Sequence, residues 1–171
     1  MLFSDTPPLR YASEADLPAI VAIYNSTVPS RMVTADTEPV TVESRLAWFR
    51  AHDSRTRPIW VVEDDGVICA WISFSSFYGR PAYRATVEVS IYVAESYRRR
   101  GLGRALLEWA ILQAPSLGIH TLLGYIFGHN ESSLRLFANL GFERWGFLPR
   151  VAVLDSVERD VVIVGKRLSS D

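Results

Sequence analysis

VSIYVAESYRRRGLGRALL, residues 89–107, changes character twice in a single pass. It opens with the β-branched and aromatic residues of a strand, crosses a run of arginines and two glycines, and ends with leucines at helical spacing. A strand that runs into such a turn and then into a helix forms an anion cradle. Gly101 and Gly103 let peptide N–H groups turn inward and a ligand approach the backbone, while the new helix adds its unbonded first-turn donors and the positive end of its dipole. Arg98, Arg99, Arg100 and Arg104 surround this turn. Cations at a helix N-terminus cost about 0.3–1 kcal/mol each, so the cluster asks for an anion, and a pyrophosphate would satisfy the donors. The alternative is a basic helix start whose arginines are solvated and hold nothing.

Two other phosphate loops fit poorly. A nucleotide-hydrolysing P-loop needs a Lys-Ser/Thr pair after its last glycine, where this chain has Arg104 and Ala105. A dinucleotide-binding fingerprint needs a glycine two places before Gly101, where Arg99 stands.

Outward from this stretch the chain alternates strands and helices. Upstream, LRYA (9–12) reads as a short strand, and Ser13 can cap a helix that buries Leu17, Ile20, Val21 and Tyr24. A second amphipathic piece starts near Thr41 and ends near His52. PIWVVE, then Asp65-Gly66, then VICAWISFSSF reads as strand, tight turn and strand. Downstream, RALLEWAILQA is a helix, HTLLGYIF a strand and NESSLRLFANL a helix stopped at Gly141; FERWGFL and ERDVVIVGKRL close the sheet. The order β-α-α-β-β-β-α-β-α-β-β predicts an α/β (α+β) fold: a mixed, mostly antiparallel central sheet flanked by helices. A β-α-β crossover makes the strands at 85–94 and 120–127 run parallel within it.

Among 171 residues, 49% are hydrophobic, enough for one continuous core, so a single domain over residues 1–171 is expected. The net charge of -1 offers no global positive field to nucleic acid or anionic lipid, which makes any anion site local. Cys69 is the only cysteine; within the apolar run VICAWI it reads as a buried thiol and excludes a disulfide framework in one chain. His52, His120 and His129 are not at metal-ligand spacings, so no metal is expected. MLFSDTPPLR lacks the apolar centre of a signal peptide, and no stretch approaches the roughly 20 apolar residues of a membrane span. The expectation is a cytoplasmic protein with neither nucleic-acid nor membrane partners.

Arg98-x-x-Gly101-x-Gly103 resembles the Q/R-x-x-G-x-G/A signature of the GNAT N-acetyltransferases. A second signature of that family, N-x-x-A/S-x-x-L-aromatic-x-x-x-G-F, is matched by Asn130, Ser133, Leu136, Phe137, Gly141 and Phe142. The resemblance covers nearly the whole chain and implies the GNAT fold, with acetyl-CoA as co-substrate. It also implies a division of labour: Arg98, Arg99, Arg100, Gly101, Leu102, Gly103 and Arg104 wrap the pyrophosphate. Ile91, Tyr92 and Val93 offer main-chain groups to the pantetheine arm, and Asn130 and Ser133 touch the cofactor from the next helix.

ADLPAIVAIYN, RLAWF, AYRATVEVSIYV and NESSLRLFANLGF resemble the phosphinothricin and methionine sulfoximine acetyltransferase branch more closely. The Glu of its TVE phrase, Glu88 here, lies beside the acetyl group in that branch and helps deprotonate the amine. In the strand itself Glu88 alternates with Val87 and Val89 and shares a face with Ser90 and Tyr92, so a carboxylate is directed to one side of the sheet. Burial would raise its pKa toward the range of a working base; the alternative is a cross-strand salt bridge with an arginine. Glu88, Ser90 and Arg80 are the candidate acceptor contacts, Arg80 either pairing with an acceptor carboxylate or standing solvated in a loop.

Two departures stand out. Phe137 occupies a position where many members carry an acid Tyr, and VLDSVERDVV replaces the KFGRWxD-like phrase of the branch. The resemblance implies direct transfer of acetyl to a small amine, an amino acid or analogue, by a homodimer. Acetylation of a protein N-terminus or lysine, and a silent CoA-binding sensor, remain as alternatives.

Overall fold

Apolar strand-forming runs recur from Ile59 onward, and in the computed structural model, which describes residues 8–168, they join the short strand at Leu9–Tyr11 in one seven-stranded sheet. The reading of the first seven residues lies outside this range. In chain order the elements are β1 (Leu9–Tyr11), α1 (Leu17–Thr27), α2 (Val42–Arg50), β2 (Ile59–Asp64), β3 (Val67–Ser76), β4 (Thr86–Val93), α3 (Leu102–Gln113), β5 (Thr121–Phe127), α4 (Glu131–Asn139), β6 (Glu143–Leu154) and β7 (Val157–Arg167). The strands lie in the order β1-β2-β3-β4-β5-β7-β6, and β4 with β5 is the parallel pair. This is the expected order and the expected crossover.

Local chemistry accounts for the joints. Asp65 and Gly66, at φ 47° and 80°, form the left-handed two-residue turn that suits the twist of the β2–β3 hairpin. Thr41 caps α2, its hydroxyl accepting from the Ser44 N–H at 3.1 Å. Alternation along the strands divides the core into two layers. Ile59, Val61 and Trp71 pack on Leu17, Ile20, Val21 and Ile23 of α1. On the opposite face Trp60, Val62, Ile72, Phe74, Val87 and Val89 pack on Leu102, Leu106, Leu107 and Ala110 of α3. Cys69 is fully buried, with its pKa raised by that burial, so it offers no nucleophile.

Two features depart from regularity. β6 does not stop at Leu148 but continues through Pro149 to Leu154. It is an edge strand, so proline forfeits no ladder bond there, and the pairing register shifts between Leu148 and Ala152. The second feature makes the site. The β4–β5 ladder joins only Thr86, Val87 and Glu88 to Thr121, Leu122 and Leu123, although β4 runs on to Val93 and β5 to Phe127. Past Glu88 the two strands part, leaving the β5-side edge of β4 unpaired. Gly124 stands at this fork: a Cβ there would lie 3.0 Å from both the Phe137 and Val164 side chains, so glycine lets both pack here without having to shift.

Candidate active site

The fork opens into a cleft of about 670 Å³ whose walls are β4 from Glu88 to Val93, β5 from Gly124 to Phe127, the turn at Arg98–Gly103 and the start of α4. Gly101, at φ 81°, caps α3 in a left-handed conformation that favours glycine, and Arg99 at φ 60° shares that region. The Arg100 N–H closes the turn over Arg98 and Arg99, whereas the peptide N–H groups of Gly101, Leu102, Gly103 and Arg104 find no acceptor among the described residues; the first bond of α3 is Ala105 N–H to the Gly101 carbonyl, 3.0 Å. Consecutive free donors at a helix start, inside a cleft, form a ready anion site. Gly103 is not demanded by the protein, since a Cβ there would meet only Leu136, at an ordinary 3.5 Å.

The arginines divide. Arg98 and Arg99 line the cleft, and Arg98 Nε donates to the Val93 carbonyl at 3.2 Å. Arg100 lies over the Tyr97 ring at 5.1 Å, and Arg104 pairs with Glu108 at 2.8 Å; neither side chain lines the cleft. Ile91, Tyr92, Val93, Leu102 and Ser133 all line it. Asn130 does too, yet both ends of its amide are already engaged: Oδ1 accepts from the Ser133 N–H at 3.2 Å, capping α4, and Nδ2 donates to the Met32 carbonyl at 2.9 Å. His129 Nε2 meets the Arg31 carbonyl at 2.8 Å, so the adjoining pair straps the loop after α1 to the end of β5.

On the α1–α2 side of β4 lies a second cavity of about 260 Å³. Glu88, Ser90 and Tyr92 line both cavities, so β4 is their common wall. Glu88 is half-buried, and burial alone pushes its pKa above the usual carboxylate value; no arginine ion pair forms with it among the described residues. Tyr92 stacks on Trp71 at 4.5 Å and meets Tyr24 at 5.1 Å, and Trp48 closes edge-on against Trp71 at 5.6 Å. Within this aromatic box Arg45 lies over the Tyr24 ring at 4.9 Å, its Nη2 donating to Asp36 at 2.7 Å, and the Tyr24 hydroxyl donates to the same carboxylate. Ser73, 1% exposed, faces the box with a hydroxyl that has no partner among the described residues.

Arg80 lies elsewhere, exposed at the start of the Pro81–Tyr83 turn, and lines neither cavity. The cation facing the smaller cavity is instead Arg45, which sequence reading passed over although it stands in the RLAWF phrase, three residues before Trp48 on the same helical face. Phe137 is buried against Phe142 at 4.9 Å and brings no hydroxyl to the cleft. Among the described residues no cluster of His, Cys, Asp and Glu could hold a metal ion, and no helix is long and apolar enough to cross a membrane.

The comparisons agree with this geometry. Residues 20–142 match the family model described as Acetyltransferase (GNAT) family. YwnH of Bacillus subtilis (strain 168), a candidate phosphinothricin acetyltransferase, is 54% identical over 162 residues, covering 94% of this chain and 99% of its own. An L-methionine sulfoximine/L-methionine sulfone acetyltransferase of Salmonella typhimurium is 35% identical over 145 residues, 85% of each chain. The crystal structure of a phosphinothricin acetyltransferase from Sinorhizobium meliloti in complex with AcCoA superposes with a TM-score of 0.90 at 30% identity, covering 96% of this chain and 90% of that one. A forked parallel pair, a row of free donors at the head of α3 and these relatives lead to one placement: the chain belongs to the acetyltransferase (GNAT) family and has its fold.

Proposed function

We propose that the protein acetylates the amine of a small amino acid or analogue of the methionine sulfoximine or phosphinothricin kind, using acetyl-CoA, as one domain. The row of unbonded N–H groups from Gly101 to Arg104 carries the reading. A pyrophosphate fits it, with Arg98 and Arg99 adding charge and the unpaired edge of β4 at Ile91–Val93 receiving the pantetheine amides. When acetyl-CoA is bound its thioester supplies the acetyl group. The remaining work falls to the chain's own residues: peptide donors near Val93 polarise the carbonyl, and Glu88 takes the proton of the attacking amine.

The aromatic box, about 260 Å³ and walled by Tyr24, Trp48, Trp71 and Tyr92, supports a small acceptor over a polypeptide. Arg45 suits a carboxylate, and the buried, unpaired Ser73 hydroxyl suits a further polar group. A panel of amino acids, methionine sulfoximine and phosphinothricin included, assayed with acetyl-CoA by release of free thiol tests the reading. Turnover on amino acids and none on peptides is the expected result; turnover confined to peptides would refute it.

We also propose a homodimer and a cytoplasmic location, where acetyl-CoA is available. The edge strand β6 exposes Trp145, Phe147, Leu148, Val151 and Val153, an apolar strip suited to burial against a second copy. Light scattering at micromolar concentration would show a single-chain mass if the dimer is wrong, and cell fractionation checks the location.

A further inference from the structure

The amine loses its protons once per turnover, and a base inside a closed site must hand its own on. Counting atoms, an ammonium acceptor sheds two protons in becoming the amide: one protonates the departing thiolate and one goes to solvent. Glu88 lines both cavities, so a filled cleft and a filled acceptor box cover its carboxyl from both sides of β4. What remains beside it is β3. Ser75 is the direct cross-strand partner of Glu88 in the β3–β4 ladder, so the two side chains rise from the same face of the sheet, and both line the acceptor box. Behind Ser75 stands His52, just past the end of α2, its Nε2 3.3 Å from Ser75 Oγ and its Nδ1 2.7 Å from the Trp48 carbonyl.

The second contact sets the tautomer. A carbonyl only accepts, so Nδ1 of the neutral ring carries the hydrogen and Nε2 is left as an acceptor for the Ser75 hydroxyl. The serine oxygen is then free to accept from a protonated carboxyl. His52 is half-buried, with its ring edge-on to Trp48 at 4.8 Å, and the next residue, Asp53, is exposed. The line therefore runs from the interior of the box to the protein surface.

We propose that Ser75 and His52 form the exit path for the proton that Glu88 takes from the amine, a role that rests on Glu88 being the base. The proton moves from the amine nitrogen to Glu88; the Glu88 O–H proton passes to Ser75 Oγ as the serine's own passes to His52 Nε2. The resulting imidazolium turns about its Cβ–Cγ bond, giving up its contacts to Ser75 and the Trp48 carbonyl, releases the Nε2 proton to solvent beside Asp53 and turns back. No bond other than O–H and N–H changes. The charged and titratable groups around the ring are Asp53, which favours the imidazolium, Arg57, which opposes it, and Glu88 across the ladder. Burial, the largest influence, holds the His52 pKa below its ordinary value, so the ring is neutral and able to accept at neutral pH. Both residues act through Glu88 and not on the reacting atoms, although Ser75 also lines the acceptor box.

The experiment measures kcat, both KM values and the acid limb of kcat against pH for the full chain with acetyl-CoA and methionine sulfoximine. It compares wild type with His52→Gln, Ser75→Ala, Ser75→Thr and Glu88→Gln. In His52→Gln and Ser75→Ala, kcat falls about tenfold, a fraction of the roughly hundredfold or more that a positioned base supplies. KM for acetyl-CoA stays put in both and KM for the acceptor stays put in His52→Gln, Ser75→Thr recovers most of the rate that Ser75→Ala loses, and the acid limb of His52→Gln is shallower because one fewer group must be unprotonated. Added imidazole restores rate to His52→Gln. If His52→Gln and Ser75→Ala keep the wild-type kcat and acid limb while Glu88→Gln loses rate, the relay is overturned and the base stands. If Glu88→Gln keeps its rate as well, the base assignment falls and the relay with it. A loss confined to KM or to melting temperature makes His52 a structural residue and overturns the proposal.

Discussion

Asn130 separates two accounts of the same residue, one in which its amide serves acetyl-CoA and one in which it holds the fold. Both of its polar ends are bonded within the protein, at 3.2 Å to the Ser133 N–H and 2.9 Å to the Met32 carbonyl, and the side chain is buried. Asn130→Ala removes the α4 cap, worth about 1 kcal/mol, and a buried bond to a carbonyl, worth about 1 kcal/mol more. The combined loss of about 2 kcal/mol lowers the melting temperature by roughly 4–8 °C in a chain of this length. Asn130→Ser keeps a capping oxygen but loses the reach to Met32, so its loss is about half as large. Thermal denaturation of both variants and wild type, with and without saturating acetyl-CoA, reads these differences. The structural account requires that the stabilisation conferred by acetyl-CoA be the same in all three proteins. An Asn130→Ala protein that melts like wild type but gains little from acetyl-CoA would refute the reasoning and return the amide to the ligand.

Three further outcomes follow from the site. Glu88→Gln lowers kcat about a hundredfold or more, yet raises the melting temperature at neutral pH. Because burial raises the native pKa of Glu88, folding favours its protonated form; the penalty on the carboxylate is present above that raised value and vanishes as pH falls past the ordinary one, so the gain from Gln vanishes with it, as melting against pH will show. Gly101→Ala meets no neighbour within 4 Å but must hold φ near 81°, costing about 1–2 kcal/mol, and turns a donor away from the cleft. Its melting temperature should drop and its KM for acetyl-CoA rise, and a neutral result in steady-state kinetics would count against the donor row. Arg45→Gln should raise the acceptor KM by about 10- to 100-fold, the worth of a charged hydrogen bond, and leave the acetyl-CoA KM unchanged.

What the sequence made legible was whatever is local in the chain. The donor row at Gly101–Arg104 and the alternation that puts Glu88 on the face opposite Val87 and Val89 each lie within a few consecutive residues. The acceptor box is assembled otherwise, from α1, α2, β3 and β4. Arg45 and Trp48 belong to a helix that reads as amphipathic but has no fully buried residue, and nothing local shows that a cation on it faces a cavity and not solvent. Ser73 and Ser75 are ordinary polar residues until the β3–β4 register sets them opposite Ser90 and Glu88. Arg80 drew attention by nearness in sequence to β4, but the Pro81–Tyr83 turn carries it outward. FERWGFL reads as a strand only as far as Leu148, and nothing in the sequence says that β6 will lie at an edge, where it can continue through Pro149 without needing the missing N–H.

The fork between β4 and β5 explains why one carboxylate can serve two cavities. A strand normally offers each neighbour a hydrogen-bonded edge and each layer a face; β4 keeps its β3 ladder from Val87 to Val93 but releases β5 at Glu88. From that residue onward the freed edge is available to a thioester's amides, while the α1–α2 face still presents Glu88, Ser90 and Tyr92 to the acceptor box. The base thus stands at the last paired rung, where the backbone is held on both sides and the side chain meets both openings. Ending the ladder at Thr86 would place Glu88 on a strand held from one side only, and extending it to Ser90 would seal the edge that a bound thioester needs beside the carboxylate. The position of the fork therefore couples where the co-substrate can enter to where the proton can be taken.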